Sequence, residues 1–423
     1  MSKIRMGLIG CGGMGHRHLF GLAELNRLGL CSFEPVAVCD PREDNATSLA
    51  AQVETHFGKR PVVTRSLDEL ASLDLQSVDI CSDPRHHHTL AIEAMERGWD
   101  VMTEKPMGLT VRACRLMVNA AKRTGRMLAV AENYRRDPIN RLAKALIDAG
   151  VIGKPRFMVH SSAGGGNRMM ISVWRHQKNA SGILLDVGVH YSDILEYFLG
   201  PVTSIYAQTR LHEKTRYNPL SGKDPESVPR DSPAGVYERS QTLMPAEFEA
   251  TAEDAAYATL MFENGAVCHY LEDHAAHGRG YWHRAIYGSG GSLDLPGDRS
   301  GDTITLTLAD GTLHDGASIL DLVPSFHLDE ATTALFGGPR LWRYAFPFPE
   351  TDRKIIAIEY ADFGHAIEKG LAPEVTAEVG TRSVAVSYGI LESGVANRTV
   401  TVDEVLSDST SAYQAEINES LGL

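Results

Sequence analysis

The chain has 423 residues, of which 43% are hydrophobic and 22% are charged, and its formal net charge is −13. That length predicts two or three domains with cores of ordinary size, and the composition excludes a disordered chain or a coiled coil. The acidic balance argues against a nucleic-acid partner, and no apolar run reaches the ~18 residues that a membrane span needs.

Strands and helices alternate over residues 1–135 with short connections, which is typical of a parallel sheet. A helix is predicted over 16–28, because Leu19, Leu22 and Leu25 fall on one face. The predicted strands are short and apolar, as in a sheet covered on both faces, and span 4–9, 35–39, 78–81, 100–103 and 126–131. We therefore predict an α/β domain with a doubly wound parallel sheet over residues 1–135.

The pattern changes beyond residue 136. Hairpin turns are predicted at Asn264-Gly265 and at Asp310-Gly311, each between two apolar runs. The other predicted elements are a strand at 156–161 and helices at 139–150, 355–369 and 382–397. This pattern predicts an α+β domain over 136–423 with a large, mostly antiparallel open sheet. Residues 214–250 are polar and rich in Pro, Ser and Glu, so we predict a long surface loop there.

A glycine-rich turn joins the first predicted strand to the first helix. Its residues, Gly10-Cys11-Gly12-Gly13-Met14-Gly15, match GxGxxG. Gly10 permits the tight turn, Gly12 lets the backbone approach a pyrophosphate, and Gly15 allows the helix to pack closely on the strand. The N–H groups at the start of the helix, including those of Gly13 and Met14, attract phosphate groups. The turn therefore predicts a dinucleotide site.

An acidic residue, Asp40, follows the second predicted strand. A carboxylate there can accept hydrogen bonds from both ribose hydroxyls of NAD and would repel the 2′-phosphate of NADP. The neighbouring Arg42 leaves room for some use of NADP. We therefore predict an NAD-binding Rossmann domain.

Two further segments carry chemistry. Glu104-Lys105-Pro106 lies at the carboxyl end of a predicted strand, the edge that faces the ligand crevice in a doubly wound sheet. Asp186 and His190 are four residues apart in an apolar helix predicted over 184–199, so they share one helical face. From the residues alone, Lys105 fits a solvated surface lysine, and the Asp–His pair fits a buried polar pair as well as a catalytic one.

The cysteines and histidines do not indicate a metal. The six cysteines have no CxxC spacing, which is typical of reduced thiols. Consecutive histidines at 86–88 point about 100° apart on a helix and have no partner at ligand spacing. The N-terminus lacks the long apolar core of a signal peptide. We expect a cytoplasmic protein without a bound metal.

In order and spacing these segments resemble the Gfo/Idh/MocA family, which is named after glucose–fructose oxidoreductase, inositol dehydrogenase and the rhizopine-catabolism proteins. The resemblance extends through most of the chain and is carried by residues 10–15, 82–87, 104–106, 133–135, 174–175 and 182–190. Two departures stand out. Asp83 occupies a common proline position, and Ala180-Ser181-Gly182 keeps one of the three glycines that the family usually has before this helix.

The resemblance implies an NAD-dependent oxidation of a secondary hydroxyl on a sugar, sugar derivative or inositol. Lys105 or His190 would take the hydroxyl proton, and Asp186 would orient the proton carrier. Further cofactor contacts are implied for Ser82, His87, Glu104, Lys105 and Asn133. Further substrate contacts are implied for Tyr134, Arg135, Arg168, Trp174 and Arg175, and arginines would suit an anionic group. Sheet-to-sheet packing in the family implies a homodimer or homotetramer.

Two other functions stay open. Some relatives hydrolyse glycosides on the same frame by transient oxidation, elimination, addition of water and re-reduction, with the same NAD and the same base. A non-catalytic NAD-sensing regulator is the third reading, and the joint presence of Lys105, Asp186 and His190 argues against it.

Overall fold

The computed structural model describes residues 3–228 and 233–423. Its N-terminal part contains β1 (Ile4–Ile9), α1 (Gly13–Leu28), β2 (Phe33–Cys39), α2 (Glu43–Phe57), β3 (Val62–Thr64), α3 (Leu67–Leu70), β4 (Ser77–Ile80), α4 (Pro84–Glu96), β5 (Asp100–Glu104), α5 (Val111–Thr124) and β6 (Leu128–Ala131). All six strands form one parallel sheet in the order β3-β2-β1-β4-β5-β6, which is the Rossmann order. The predicted parallel sheet is confirmed. Strand β3 was not predicted, because it has three residues and Val62 and Val63 are exposed.

The remaining elements build the second part. They are α6 (Pro138–Asp148), β7 (Pro155–Gly165), α7 (Ile183–Asp186), α8 (Gly188–Leu199), β8 (Val202–Arg210), β9 (Thr215–Tyr217), α9 (Pro233–Thr242), β10 (Glu247–Glu249), β11 (Ala255–Phe262), β12 (Val267–Ala276), β13 (Tyr281–Gly288), β14 (Gly291–Leu295), β15 (Thr305–Leu308), β16 (Leu313–His314), α10 (Glu330–Phe336), α11 (Phe348–Lys369), α12 (Ala377–Ala396), β17 (Val400–Thr401), α13 (Val402–Leu406) and α14 (Ala415–Ser420).

Nine of these strands form a sheet in the order β16-β15-β14-β13-β7-β12-β11-β8-β17. Its paired strands in the described ranges are antiparallel except β7 and β12, so the predicted mostly antiparallel sheet is confirmed. Both predicted hairpins are present, as β11–β12 and β15–β16. Helix α12 packs on β8 and β11, and Tyr191 of α8 contacts Ser162 on β7 and Tyr270 on β12. On this face Met158, Leu260 and Ile286 are fully buried.

Helix α11 returns to the N-terminal part and packs along α1. Gly21 permits the close approach, since a Cβ at this position would lie 2.6 Å from Cγ2 of Ile356. Tyr360 on the same helix donates a hydrogen bond to Asp79 at the end of β4 (2.6 Å). These contacts attach the C-terminal helix α11 to the parallel sheet and its first helix. No helix in the described ranges is long and apolar enough to cross a membrane.

Residues 214–250 differ from the predicted surface loop. Strands β9 and β10 pair as an antiparallel ribbon, and α9 lies between them in the chain. Helix α9 packs against α1, and Tyr237 and Ser240 line the crevice. Residues 229–232 of this segment lie outside the described part of the chain. The segment therefore covers the crevice in addition to meeting solvent.

Candidate active site

The crevice has a volume of about 1290 Å³ and runs from the glycine turn before α1 to the inner face of the nine-stranded sheet. A pocket for one small molecule usually measures ~300–1,000 Å³, so the crevice can hold a dinucleotide together with a substrate. Of the predicted site residues, the crevice is lined by Gly12, Gly13, Met14, Arg42, Ser82, Glu104, Lys105, Asn133, Tyr134, Trp174, Arg175, Asp186 and His190.

The glycine turn has the shape of a cradle. A Cβ at Gly10 would lie 2.6 Å from the backbone of Cys81, and a Cβ at Gly15 would lie 2.2 Å from the carbonyl oxygen of Gly10. Side chains are therefore excluded at both positions. Apart from its chain neighbours, no described residue has a heavy atom within 4 Å of a Cβ built at Gly12, so the space beside this residue is open. A backbone cradle with open space at the start of a helix fits a pyrophosphate group.

Asp40 supports the turn from below. Its two carboxylate oxygens accept hydrogen bonds from the backbone N–H groups of Cys11 (2.8 Å) and Arg42 (2.9 Å). The side chain of Arg42 faces the crevice and pairs with Asp44 at 2.8 Å. Asp40 is buried and does not line the crevice. Its contact with the ribose hydroxyls stays a prediction.

The structure gives His87 a bracing position instead of the expected cofactor contact. Its imidazole is fully buried, with Nδ1 2.9 Å from the carbonyl oxygen of Pro106 and Nε2 3.1 Å from that of Ser82. Both ring nitrogens are thus occupied by the backbone. His87 fixes the Ser82 and Pro106 segments relative to each other, and Ser82 itself lines the crevice.

Lys105 follows β5 at the carboxyl edge of the parallel sheet and is held by Asp186. Its Nζ donates to the carboxylate Oδ1 of Asp186 (3.0 Å) and to the backbone oxygen of the same residue (2.8 Å). Arg175 lies 2.9 Å from the other carboxylate oxygen. Burial would raise the pKa of Asp186, but the charges of Arg175 and Lys105 outweigh it and lower the pKa to about 2. Asp186 is therefore a carboxylate that fixes two cations.

His190 has a different acidic partner from the one that its spacing predicts. Its Nδ1 lies 2.7 Å from the carboxylate Oε1 of Glu132, whereas no hydrogen bond joins it to Asp186 in the described structure. The predicted helix over 184–199 is broken at Val187, and the Asp186 carboxylate is engaged with Lys105 and Arg175. The imidazole stacks on Tyr134, with ring centroids 4.3 Å apart and planes inclined by 4°.

Two arginines predicted to meet the substrate lie elsewhere. The guanidinium of Arg135 makes two hydrogen bonds with buried Asp193, at 2.6 and 2.7 Å, and stacks over Tyr197. Arg168 does not line the crevice, and its backbone forms a β-bridge with Tyr217 at the end of β9. The predicted substrate contacts of Arg135 and Arg168 are therefore not supported, because each belongs to the framework around the crevice.

Arg299 was not predicted from the sequence, although it lines the crevice. Its backbone has φ +63°, which an arginine rarely adopts, and its N–H donates to Asp137 (2.7 Å). The guanidinium lies over Tyr134, 5.0 Å from the ring centroid, and pairs with Asp352 at 3.1 Å. The one signal was a loop with glycines on both sides, at 297 and 301.

Two other parts of the crevice wall had no signal in the sequence. On β12, His274 lines the crevice and its Nε2 lies 2.7 Å from Oε1 of buried Glu272. On α9, Tyr237 lies over the glycine turn, since a Cβ at Gly13 would come within 2.6 Å of its ring. Alternation along β12 places residues on a face, but the tertiary fold decides which residues meet a ligand.

Comparison with known proteins agrees with the two-part fold. Residues 4–132 match the model of an oxidoreductase family with an NAD-binding Rossmann fold, and residues 140–294 match the GFO/IDH/MocA C-terminal domain. Levoglucosan dehydrogenase from Pseudarthrobacter phenanthrenivorans is 28% identical over 306 residues, 69% of this chain and 73% of that protein. Inositol 2-dehydrogenase from Ralstonia nicotianae is 28% identical over 236 residues, 55% of this chain and 65% of that protein. A solved levoglucosan dehydrogenase in complex with NADH has a TM-score of 0.72 at 24% identity, covering 95% of this chain and 99% of that chain.

Proposed function

The chain belongs to the Gfo/Idh/MocA oxidoreductase family, and on that premise we propose that it is an NAD-dependent dehydrogenase of a sugar, sugar derivative or cyclitol. Its N-terminal part is the NAD-binding Rossmann domain of that family, and its relatives include sugar and inositol dehydrogenases. One observation carries the proposal. The crevice that contains the glycine cradle also contains Lys105, fixed by Asp186, and His190, fixed by Glu132.

The roles of the residues follow from their contacts. The cradle of Gly10, Gly12 and Gly15 would hold the pyrophosphate of NAD, and the nicotinamide of the bound cofactor would supply the hydride acceptor. Lys105 directs its charge at the substrate oxygen and stabilises the negative charge that develops as the O–H bond breaks. Nε2 of His190 has no hydrogen-bond partner in the described structure and faces the crevice, so it takes the hydroxyl proton.

The test is an analysis of bound cofactor followed by a substrate panel. Mass spectrometry of the purified protein should find NAD or NADH. Sugars, sugar acids, cyclitols and anhydrosugars are then offered with NAD⁺ while NADH absorbance is recorded, and glycosides are followed for aglycone release. NADH formation with one compound class supports the dehydrogenase. Aglycone release without net formation of NADH, abolished when NAD is removed, would show that the protein is a redox-neutral glycoside hydrolase and not a dehydrogenase.

We expect the protein to prefer NAD to NADP because of Asp40. Asp40→Ser should raise the Kd for NADH about tenfold, since one charge-assisted hydrogen bond is worth roughly that much, and should narrow the preference over NADPH. Titration of NADH and NADPH by fluorescence measures both constants. Asp68→Ser removes the same charge from an exposed side chain that does not line the crevice, and it should change neither constant by more than about twofold. Tighter binding of NADPH than NADH by the wild type would show that Asp40 does not select the cofactor.

We also propose a homodimer or homotetramer that packs through the outer face of the nine-stranded sheet. The register places six exposed apolar side chains on this face, namely Phe157, Tyr206, Tyr257, Met261, Tyr281 and Tyr287, with exposed fractions of 37–56%. Phe157 and Tyr287 stack on adjacent strands with ring centroids 4.6 Å apart. The register joins Met261, Val267, Phe157 and Tyr287 in one apolar row across four adjacent strands, and such a row on the outer face suits a second copy of the chain.

Phe157→Glu should convert the oligomer to a monomer, because it places a charge at the centre of the apolar face. Sedimentation velocity at micromolar concentration measures the change. Leu371→Glu adds the same charge at an exposed leucine beyond α11 and should leave the assembly intact. A stable wild-type monomer of 46.1 kDa would contradict the proposal.

We place this activity in the cytoplasm, since all six cysteines are free and buried.

A further inference from the structure

Three carboxylates lie around Lys105 and His190, and two of them are neutralised by cations. Asp186 pairs with Lys105 and Arg175. Glu104 pairs with buried His18 at 3.1 Å. Burial would lower the pKa of His18, but Asp79 outweighs it and raises the pKa well above the usual range, so His18 is a cation. Each of these two carboxylates is therefore held in its ionised form by a paired cation.

Glu132 is the third carboxylate, and its surroundings differ. Its side chain is 4% exposed and directly follows β6. Oε1 accepts the backbone N–H of Tyr134 (3.1 Å) and faces Nδ1 of His190 (2.7 Å). Among the described residues it makes no ion pair with a lysine or an arginine. Glu132 is therefore a buried carboxylate whose one ionisable hydrogen-bond partner is the imidazole of the proposed base.

The imidazole is held so that it can pass a proton in one direction. Nδ1 points at Glu132, Nε2 is the nitrogen on the crevice side, and the parallel stack on Tyr134 prevents rotation of the ring. Nδ1 donates to the carboxylate in the neutral tautomer, which leaves the Nε2 lone pair for the substrate hydroxyl. A proton that arrives at Nε2 can therefore leave from Nδ1.

We propose that Glu132 is the final acceptor of the substrate's hydroxyl proton and that His190 carries the proton to it. The inference rests on the dehydrogenase function proposed above. As the substrate O–H bond breaks, an N–H bond forms at Nε2 of His190, the N–H bond at Nδ1 breaks, and an O–H bond forms at Oε1 of Glu132. When NAD is bound, its nicotinamide would accept the hydride from the carbon that bears this hydroxyl, so that the hydroxyl becomes a carbonyl. His190 ends the step neutral, and the charge of Glu132 is cancelled.

The charges around the pair favour this direction. Burial raises the pKa of Glu132 to about 7, against the lowering effect of the Tyr134 N–H, Lys105 and Arg135. Burial, Lys105 and Arg299 together hold the pKa of His190 well below its usual range. Besides Tyr134, which stacks on the imidazole, the charged or titratable groups that face the pair are Glu104, Lys105, Arg135, Asp186, Asp193, Arg299 and Glu359. In a serine-protease triad the imidazole keeps the proton; burial of Glu132 reverses that order.

Carbon-13 NMR tests the proton position without any substrate. Protein labelled at the δ-carbon of glutamate is titrated from about pH 5 to about pH 9, and the Glu132 signal is the one that Glu132→Gln removes. We expect a midpoint near 7, and ¹⁵N-histidine spectra that show a neutral His190 throughout. A Glu132 midpoint below about 6 overturns the proposal, and so does protonation of the imidazole within this range. Either result leaves the dehydrogenase proposal intact.

Kinetics of the dehydrogenase separate proton acceptance from positioning. Wild-type kcat for oxidation should fall as the pH drops through about 7, where Glu132 becomes protonated and can no longer accept. In Glu132→Gln the amide oxygen still accepts a hydrogen bond from Nδ1 of His190 but cannot take a proton. We therefore expect kcat to fall about 10²-fold while KM stays within about threefold of the wild-type value. The decrease of kcat below about pH 7, which we call the acid limb, should disappear. Glu132→Asp should restore the limb and at least about a tenth of the activity.

A structural role predicts a different result. If Glu132 only orients His190, Glu132→Gln should keep the acid limb and lose less than about threefold in kcat, and this outcome overturns the proposal. Glu392→Gln is the matched control, since Glu392 is fully buried in α12 and accepts from the backbone of Tyr413 (2.9 Å) and Gln414 (3.2 Å). It should leave both kcat and its pH profile unchanged.

Discussion

Lys105→Ala is expected to lower kcat about 10²–10⁴-fold while the Kd for NADH stays within about threefold. Lys105 is 12% exposed at its side chain and is aligned by two hydrogen bonds to Asp186. Alanine removes the cation that stabilises the developing alkoxide. The glycine cradle is formed by the turn before α1, and no hydrogen bond joins it to the Lys105 side chain among the described residues, so we expect cofactor affinity to be preserved.

Steady-state kinetics on the substrate found in the panel measure the loss, and NADH fluorescence measures the affinity. Lys144→Ala is the matched control, because Lys144 is also partly buried and also paired with an aspartate, Asp148. Lys105→Ala/Asp186→Ala should be little worse than the worse single variant, because the two residues act as one unit. Near-normal turnover by Lys105→Ala would remove the lysine from the mechanism and leave His190 with Glu132 as the sole chemical machinery.

The local motifs of the site could be predicted from the sequence, but the pairing of its charges could not. Lys105 and His190 were recognised because each lies in a continuous segment with characteristic neighbours. The spacing of four residues suggested that Asp186 holds His190, yet the carboxylate that bonds His190 lies 58 residues away and Asp186 bonds a lysine 81 residues away. Helical spacing predicts neighbours only within an unbroken helix, and this one is interrupted at Val187.

The positions of two arginine side chains could not be predicted from the sequence for the same reason. Arg135 and Arg299 are both in polar loops in the sequence, but Arg135 pairs with Asp193 of α8 and Arg299 faces the crevice. The difference arises from the tertiary fold, because each guanidinium pairs with a carboxylate that is distant in the sequence, Asp193 for Arg135 and Asp352 for Arg299. Residues 214–250 follow the same rule, because the position of α9 depends on its contact with α1, which is distant in the sequence.

The parallel sheet was predictable for the opposite reason. Each of its strands except β3 is a short apolar run that ends at a turn, so the pattern is complete within a few residues. The order of the strands then follows from the connections of a doubly wound sheet. In the second part, Asn264-Gly265 and Asp310-Gly311 marked two hairpins, whereas nothing local indicated that β7 would pair in parallel with β12.

Asp298→Asn is expected to lower the free energy of unfolding by about 3 kcal/mol, because it leaves a buried guanidinium without its anion. Arg284 has no solvent exposure, and its two terminal nitrogens donate to the Asp298 carboxylate at 2.7 and 2.9 Å. Its remaining nitrogen contacts His160 (3.3 Å), whose pKa burial and Arg284 hold well below the usual range, so this partner is neutral. Asparagine keeps the shape but not the charge.

Urea denaturation followed by circular dichroism measures the loss at Asp298. Asp294→Asn is the matched control on β14, since Asp294 is 46% exposed at its side chain and pairs with His283 on the surface; it should cost less than about 1 kcal/mol. If the two variants lose the same stability, the buried pair contributes no more than a surface pair. Arg284→Met/Asp298→Leu should recover most of the loss, because removing both charges also removes the cost of burying either one. That recovery would show that the loss in Asp298→Asn comes from burying one charge without its partner and not from a large net contribution of the pair to stability.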